Sequence, residues 1–408
     1  MDFSFSIPTR VEFGSGICSR IGEILKPYVK QKVLVVSDYG VKQAGILKKV
    51  EESLKHYKIS YEVFDKVEAN PSTQILAQGI EFLEMHQCDS VLGVGGGSSI
   101  DTAKGIAAMA TNPGSILDYE GIDKIKNQPL PILAIPTTSG TGAEVTASTV
   151  FTNKDTLFKT VIMSKYLFPK VAILDPLLTI TLPSSITAAT GMDALTHAIE
   201  SYTSKNSNFV SKSLAIEAIK LIGESLLNTY YVGTDVNSRG KMLVASMLAG
   251  MAFSQSRLGN VHAISHTFGG IFNIPHGIAN ATLLPYVMEF NVLACPNEMK
   301  DIAIALGADT SELTLEKAAE QAITEVIKIN KAIGIPNTIK ELGVDLELLQ
   351  RMVDDSMRSP NTISNPRITT ADDIKQIIES AYHGSFQKIN FIEKGREYDV
   401  SRNENVHN

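Results

Sequence analysis

Four short, unbroken apolar runs in the first half of the chain restrict its fold more than any other feature. They are Val33-Leu34-Val35-Val36, Val91-Leu92-Gly93-Val94, Ile132-Leu133-Ala134-Ile135 and Val171-Ala172-Ile173-Leu174. Each is too short for a buried helix and lacks the alternation of a strand wetted on one face. Such runs suit strands covered on both sides, as in parallel sheets. Residues 48–56 and 73–86 show helical periodicity, Tyr61-Glu62-Val63-Phe64 reads as a further strand, and 100–107 reads as a helix. Strand alternating with helix predicts a parallel α/β sheet.

The strand over 90–94 runs straight into Gly95-Gly96-Gly97-Ser98-Ser99 and then into the helix. Residues without Cβ let backbone N–H groups approach a pyrophosphate at the positive end of a helix. The run is therefore a candidate phosphate cradle, with a tight ligand-free turn as the plain alternative. Its spacing is not GxGxxG, and it follows the third strand instead of the first. Asp38 closes the first strand, where ligands collect in open α/β sheets. A carboxylate there suits ribose hydroxyls and repels a 2′-phosphate, favouring NAD over NADP; otherwise it caps the next turn. Pro136-Thr137-Thr138-Ser139-Gly140-Thr141-Gly142-Ala143-Glu144 forms a donor-rich rim fit for a nicotinamide ribose, or simply a loop.

After Leu182-Pro183-Ser184 the composition changes to long helical periodicity, with helices expected over 184–204, 208–229, 236–254, 258–270, 276–294, 314–333, 345–355 and 370–383. Gly334-Ile335-Pro336 stops one of them. A domain boundary is placed near Thr181, separating an α/β part (1–181) from an all-α part (182–408). The polar stretch 394–408 is expected to be poorly ordered. Half of the eight histidines fall between Asp193 and His276, as His197, His262, His266 and His276. Asp193 and His197 lie four residues apart and share one helix face; His262 and His266 repeat that spacing, and His276 follows Pro275 at a loop-to-helix turn. Imidazoles beside a carboxylate suit Fe²⁺, Zn²⁺ or Mn²⁺ better than Ca²⁺ or Mg²⁺. The bland alternative is polar residues on helix surfaces.

A net charge of −7 with no clustered Lys and Arg argues against nucleic-acid binding. The first residues do not read as a signal peptide, and no apolar run reaches the ~18 residues that span a bilayer. A cytoplasmic protein without a membrane partner is expected. Cys18, Cys88 and Cys295 form no CxxC pair and read as reduced structural thiols.

From about Phe13 to His383 the chain resembles the iron-dependent (group III) alcohol dehydrogenases. The resemblance rests on Gly95-Gly96-Gly97-Ser98-Ser99-Ile100-Asp101-Thr102-Ala103-Lys104, the loop from Pro136 to Glu144, Gly191-Met192-Asp193-Ala194-Leu195-Thr196-His197, and the His262, His266, His276 series. It implies a dinucleotide-binding α/β domain, a helical domain and an active site in the cleft between them. It also implies a metal held by Asp193, His197, His262 and His276, with His266 near nicotinamide and substrate but not a ligand; its position beside His262 makes it a candidate proton relay. The family's NAD contacts map onto Asp38, Asn70, Gly96, Gly97, Ser98, Thr137, Thr138 and Lys159, and less distinctively onto Thr146 and Leu178. The implied reaction is hydride transfer between NAD(H) and a small primary alcohol or aldehyde, by a homodimer or larger homo-oligomer. One departure concerns substrate: Arg257 precedes Leu258-Gly259 where the family has a small residue. A guanidinium facing the cleft favours a sulfonate, phosphonate or carboxylate end; the alternative is a pair with an acid at the surface or a subunit contact. A rival is an NAD- and metal-using lyase of the dehydroquinate-synthase type, whose substrate needs several convergent cations; another is an NAD-binding module without catalysis.

Overall fold

The computed structural model describes residues 2–153 and 158–386; the stretch 394–408, expected to be poorly ordered, lies outside the described residues. Strands β1 (Arg10–Phe13), β2 (Lys32–Asp38), β3 (Ser60–Val67), β4 (Ser90–Gly95), β5 (Gly121–Ile122), β6 (Ile132–Pro136), β7 (Ser148–Asn153), β8 (Phe158–Met163) and β9 (Val171–Leu174) make two sheets. The larger has the order β1-β9-β6-β4-β2-β3, and its pairs are all parallel. The four apolar runs are its four inner strands. Their side chains divide by the pleat, because successive residues of a strand face opposite ways. Val33, Val35, Leu92, Val94, Leu133 and Ile135 pack with Leu47, Val50 and Leu54 of the helix Ile46–His56. Leu34, Val36, Val91 and Ile132 pack on the other side with Leu76 and Ile106, from the helices Thr73–Met85 and Gly97–Met109. Both faces are covered, so alternation disappears from the sequence. The carboxyl ends of β2, β4 and β6 lie side by side, with Gly95 opposite Pro136.

From Ser184 onward the chain is helical. The helix Ser184–Thr203 runs through the middle: every residue from 191 to 203 is buried, so it has no wet face from which an amphipathic stripe would be read. Around it stand Phe209–Tyr231, Val236–Ser256, Asn260–Ile271 and His276–Asn291, then Leu315–Ala332 and Ala371–His383. Four features differ from the expectation. The first strand leads into a short helix, Tyr39–Gln43, before Ile46–His56. The segment expected as a helix over 345–355 opens with a 3-10 turn, Leu346–Leu348, before Leu349–Met357. A small second sheet, β5-β8-β7, and the helix Pro296–Ala305 were not anticipated. Among the described residues no helix is long and apolar enough to cross a membrane.

The loop after β6 meets the helix Val236–Ser256 backbone to backbone. Gly142 adopts φ +60°, and a Cβ on Gly250 would stand 2.9 Å from the Gly142 carbonyl oxygen and 3.0 Å from its Cα. Replacing Gly by Ala inside a helix gains up to about 1 kcal/mol from propensity, whereas overpacking against rigid backbone costs about 1–3 kcal/mol; here the second effect should win. Gly250→Ala is expected to lose about 1–2 kcal/mol in denaturant unfolding, and unchanged or higher stability would show that the loop and helix do not touch this closely.

Candidate active site

One cavity of about 250 Å³ receives residues from both halves of the chain. From the first half come Asn70, Gly97, Ser98, Asp101, Thr146 and Lys159; from the second come Asp193, His197, Phe253, Arg257, His262, His266, His276 and the turn Ser359-Pro360-Asn361. Asp193, His262 and His276 each offer one ligand atom, and these atoms lie within 4.8 Å of one another. His262 Nε2 is 3.9 Å and His276 Nε2 3.7 Å from Asp193 Oδ1. His197 stands beside this group. Its Nδ1 is 3.2 Å from the Gly140 carbonyl oxygen and 4.0 Å from Asp193 Oδ2, and its ring is stacked between Phe253 and His262, each at 4.5 Å. If Nδ1 carries the proton donated to that carbonyl, Nε2 is left as the free donor atom.

Protonation and hydrogen bonding both fit a cation here. Burial pushes His262, His266 and His276 well below the ordinary imidazole range, so each is neutral near pH 7 with a lone pair to give. The Asn280 amide nitrogen donates to Asp193 Oδ1 at 2.7 Å and lies 3.1 Å from both His262 Nε2 and His276 Nε2. Two amide hydrogens thus face three acceptors, an excess of lone pairs that a divalent ion would satisfy. One carboxylate with imidazoles is a borderline donor set, matched to Fe²⁺, Zn²⁺ or Mn²⁺. His266 lies one helical turn from His262, its ring 5.1 Å from that of His276. It is not part of the tight ligand group.

The other candidates occupy the strand ends. Asp38 caps the helix Tyr39–Gln43, the plain alternative for it, by accepting from Val41 N–H at 3.0 Å, and it also accepts the Ser99 hydroxyl at 3.0 Å. Gly95, at φ +151°, leaves no space for a side chain, since a Cβ would fall 2.5 Å from Ser99 Oγ and 3.1 Å from Asp38 Oδ2. Gly96 is the N-cap of Gly97–Met109 and offers no side chain to it, so the first N–H groups of that helix remain available to an anion. Thr137 is buried, its N–H donating to Gly95 O, while Thr138 Oγ1 lies 3.3 Å from where a Gly96 Cβ would be. Lys159 on β8 donates to Asn70 Oδ1 at 2.9 Å, and burial lowers it to about 8. Thr146 is gripped by the buried Lys104, whose ammonium also holds the Ser148 carbonyl. Leu178 does not line the cavity; it is buried in the core on one face of the large sheet.

The sequence reading did not single out Glu200, Asn280, Asp101 or Lys104. Asn280 lies one turn after His276 and Glu200 one turn after His197, so helical spacing was the available signal. Asp101 and Lys104 belong to the glycine motif itself.

The sequence profile of the iron-containing alcohol dehydrogenases matches residues 8–176, and the profile of that family's C-terminal part matches 187–382. The chain belongs to this family. It is 40% identical over 382 residues to the 1,3-propanediol dehydrogenase of Citrobacter freundii, covering 93% of this chain and 99% of the relative. It is 37% identical to the NAD-dependent methanol dehydrogenase of Bacillus methanolicus, again over 93% and 99%. Its structure superposes on the NAD⁺ complex of sulfoacetaldehyde reductase from Bifidobacterium kashiwanohense with a TM-score of 0.84, 30% identity and coverage of 93% and 99%. Membership makes the chain an NAD-dependent, metal-dependent alcohol oxidoreductase with an α/β half and a helical half.

A dehydrogenase of this family with this donor set should take up about one equivalent of Fe²⁺, Co²⁺ or Zn²⁺ per chain. Asp193→Asn and His262→Ala should each lower that affinity more than about 100-fold with circular dichroism unchanged. Elemental analysis after dialysis reads the result, and full occupancy in either variant would remove that residue from the ligand set.

Proposed function

We propose that this dehydrogenase interconverts short primary alcohols and aldehydes, works chiefly as an aldehyde reductase, and prefers substrates with an anionic end such as a sulfonate, phosphonate or carboxylate. The observation that carries the last point is Arg257. It caps the helix Val236–Ser256 with φ +63° and ψ −174°, a region nearly reserved for glycine, which costs about 1–3 kcal/mol and persists where function needs it. Arg257 is half-buried and lines the same cavity as the candidate ligands. Among the described residues no carboxylate pairs with it, which speaks against the surface-pair alternative. A sulfoacetaldehyde reductase, named for a substrate with a sulfonate end, is among the similar structures.

Each residue then has a task. Asp193, His197, His262 and His276 hold the metal; Asp38, Asn70, Gly96, Gly97, Ser98, Thr137, Thr138, Thr146 and Lys159 belong to the NAD(H) side, while Leu178, buried in the sheet core, has no contact task there. When bound, the metal supplies Lewis-acid polarisation of the substrate oxygen, and the nicotinamide supplies or takes the hydride. His266, neutral through burial, accepts at a ring nitrogen the proton released in alcohol oxidation and returns it in aldehyde reduction. Asp101 and Lys159 set the charge of the cavity's other wall. Residues 1–181 form the nucleotide-binding unit and 182–408 the metal-binding unit, acting as a cytoplasmic homo-oligomer, at least a dimer. The lyase reading is less well supported: a phosphorylated polyhydroxylated substrate asks for several convergent cations, and Lys159 and Arg257 are the Lys and Arg residues lining this cavity. Net NADH consumption with an aldehyde separates the two reactions.

Arg257→Ala is expected to cut kcat/KM for sulfoacetaldehyde and succinic semialdehyde about 10–100-fold, the worth of one charge-assisted contact, while propanal changes little; an equal loss on all three sinks the anion pocket. His266→Ala is expected to lower kcat about 100-fold and flatten its pH dependence. An unaltered rate and profile would end the relay assignment.

A further inference from the structure

Glu200 has no part in the reading so far, yet its surroundings are unusual for a carboxylate. It lies on the helix Ser184–Thr203 at seven residues from Asp193 and three from His197, on the face that carries them. The residue is only 4% exposed, and no Lys or Arg pairs with it among the described residues. Oε1 accepts the Val261 N–H at 2.6 Å, and Oε2 lies 2.6 Å from His262 Nδ1. Burying a carboxylate without a cation is costly, and an apolar residue of the same size would pack at no such cost. The two short bonds therefore have to account for its presence.

Both bonds act on the second metal-site helix. Asn260–Ile271 begins after Gly259, which has no side chain to cap it. Glu200 reaches over from its own helix to accept one of the free N–H groups at that end, where the helix dipole also favours a negative charge. Its other oxygen accepts the His262 Nδ1 proton, which fixes the tautomer and leaves Nε2 facing Asp193 Oδ1. The remaining imidazoles are held less firmly. His197 Nδ1 has a backbone carbonyl at 3.2 Å, and His276 Nδ1 is buried without a partner among the described residues.

We propose that Glu200 is a positioning residue for the metal site: it locks the His262 ring with Nε2 toward the cavity, raises the basicity of that nitrogen, and joins the helix carrying Asp193 and His197 to the helix carrying His262. The proposal rests on the ligand set assigned above but is independent of the substrate, so it can be tested without NADH or aldehyde.

The test is competition for Zn²⁺ and Co²⁺ between the full-length protein and a chromophoric chelator, with wild type, Glu200→Gln and Glu200→Asp. Gln keeps the size but can accept through one oxygen only, and its NH₂ opposes the second donor. Glu200→Gln is expected to weaken metal affinity about 10–100-fold, the usual effect of removing a ligand's carboxylate partner, and to shift the visible absorption of the Co²⁺ form. Glu200→Asp keeps the charge but is shorter by one methylene, and should fall between the two. NADH binding, followed by fluorescence, should not change. Affinity within about twofold of wild type in Glu200→Gln overturns the proposal, as does a lower melting temperature of the metal-free protein with unaltered metal affinity, which would mark a purely structural role. If Glu200→Gln does not fold, Glu200→Asp decides: wild-type affinity and an unshifted Co²⁺ spectrum overturn the proposal. A wild type that takes up no divalent metal would overturn the ligand set itself and this proposal with it.

Discussion

The structure depends on an electrostatic mismatch that the protein cannot resolve alone. Asp193 Oδ1, His262 Nε2 and His276 Nε2 are acceptors gathered within a few ångströms inside the molecule, and the one donor facing all three is the Asn280 amide. Buried acceptors that outnumber donors are destabilising, because each lone pair has given up water. A chain that only needed to be stable would place apolar residues there. The arrangement is understandable when the missing positive charge is a divalent ion, and the helical half supplies the rigid frame: three of its helices each carry a donor, and the middle one is buried on every side.

The α/β half contributes position. A parallel sheet covered on both faces brings the carboxyl ends of neighbouring strands to a common edge, and β2, β4 and β6 put Asp38, the glycine run and Thr137 along it. The N-terminus of Gly97–Met109, capped by no side chain, points its partial positive charge at that edge. Lys159 and Asn70 stand where the two halves meet. The unit carrying Lys159 is the small second sheet, so this minor element matters more to the site than its size suggests.

Much of this was legible in the sequence, for physical reasons that also explain the gaps. The four inner strands could be read because burial on both faces leaves no polar residue to interrupt the apolar run. The helices from Ser184 onward could be read from their periodicity, and the Asp193/His197 and His262/His266 pairs from helical spacing. The antiparallel pair β7–β8 was not seen because its strands carry buried polar residues, among them Thr149 and Lys159, whose partners Asp101 and Asn70 come from elsewhere in the fold. The helix Pro296–Ala305 was missed although Pro296 opens it and Met299, Ile302 and Ala303 give it a buried stripe. Glu200 illustrates a different limit. Its spacing puts it on the metal-site face, but sequence cannot say that a residue sixty positions later comes to meet it.

Arg257 is a position where the backbone carries a local cost. An arginine held in a glycine-like conformation gives up backbone stability, and a half-buried guanidinium with no carboxylate partner among the described residues gives up solvation as well; glycine at this point would relieve both. The same turn fixes where the next helix begins, and with it the direction in which His262 faces the cavity. Strain at Arg257 and the carboxylate of Glu200 thus bear on one short segment, residues 257–262, from opposite sides. Arg257 lines the cavity and Glu200 holds the His262 ring that also lines it, so both contacts fall on a single short stretch of backbone. A change of substrate preference made at Arg257 would therefore disturb the metal site least if the new residue still accepts positive φ, as glycine and asparagine do.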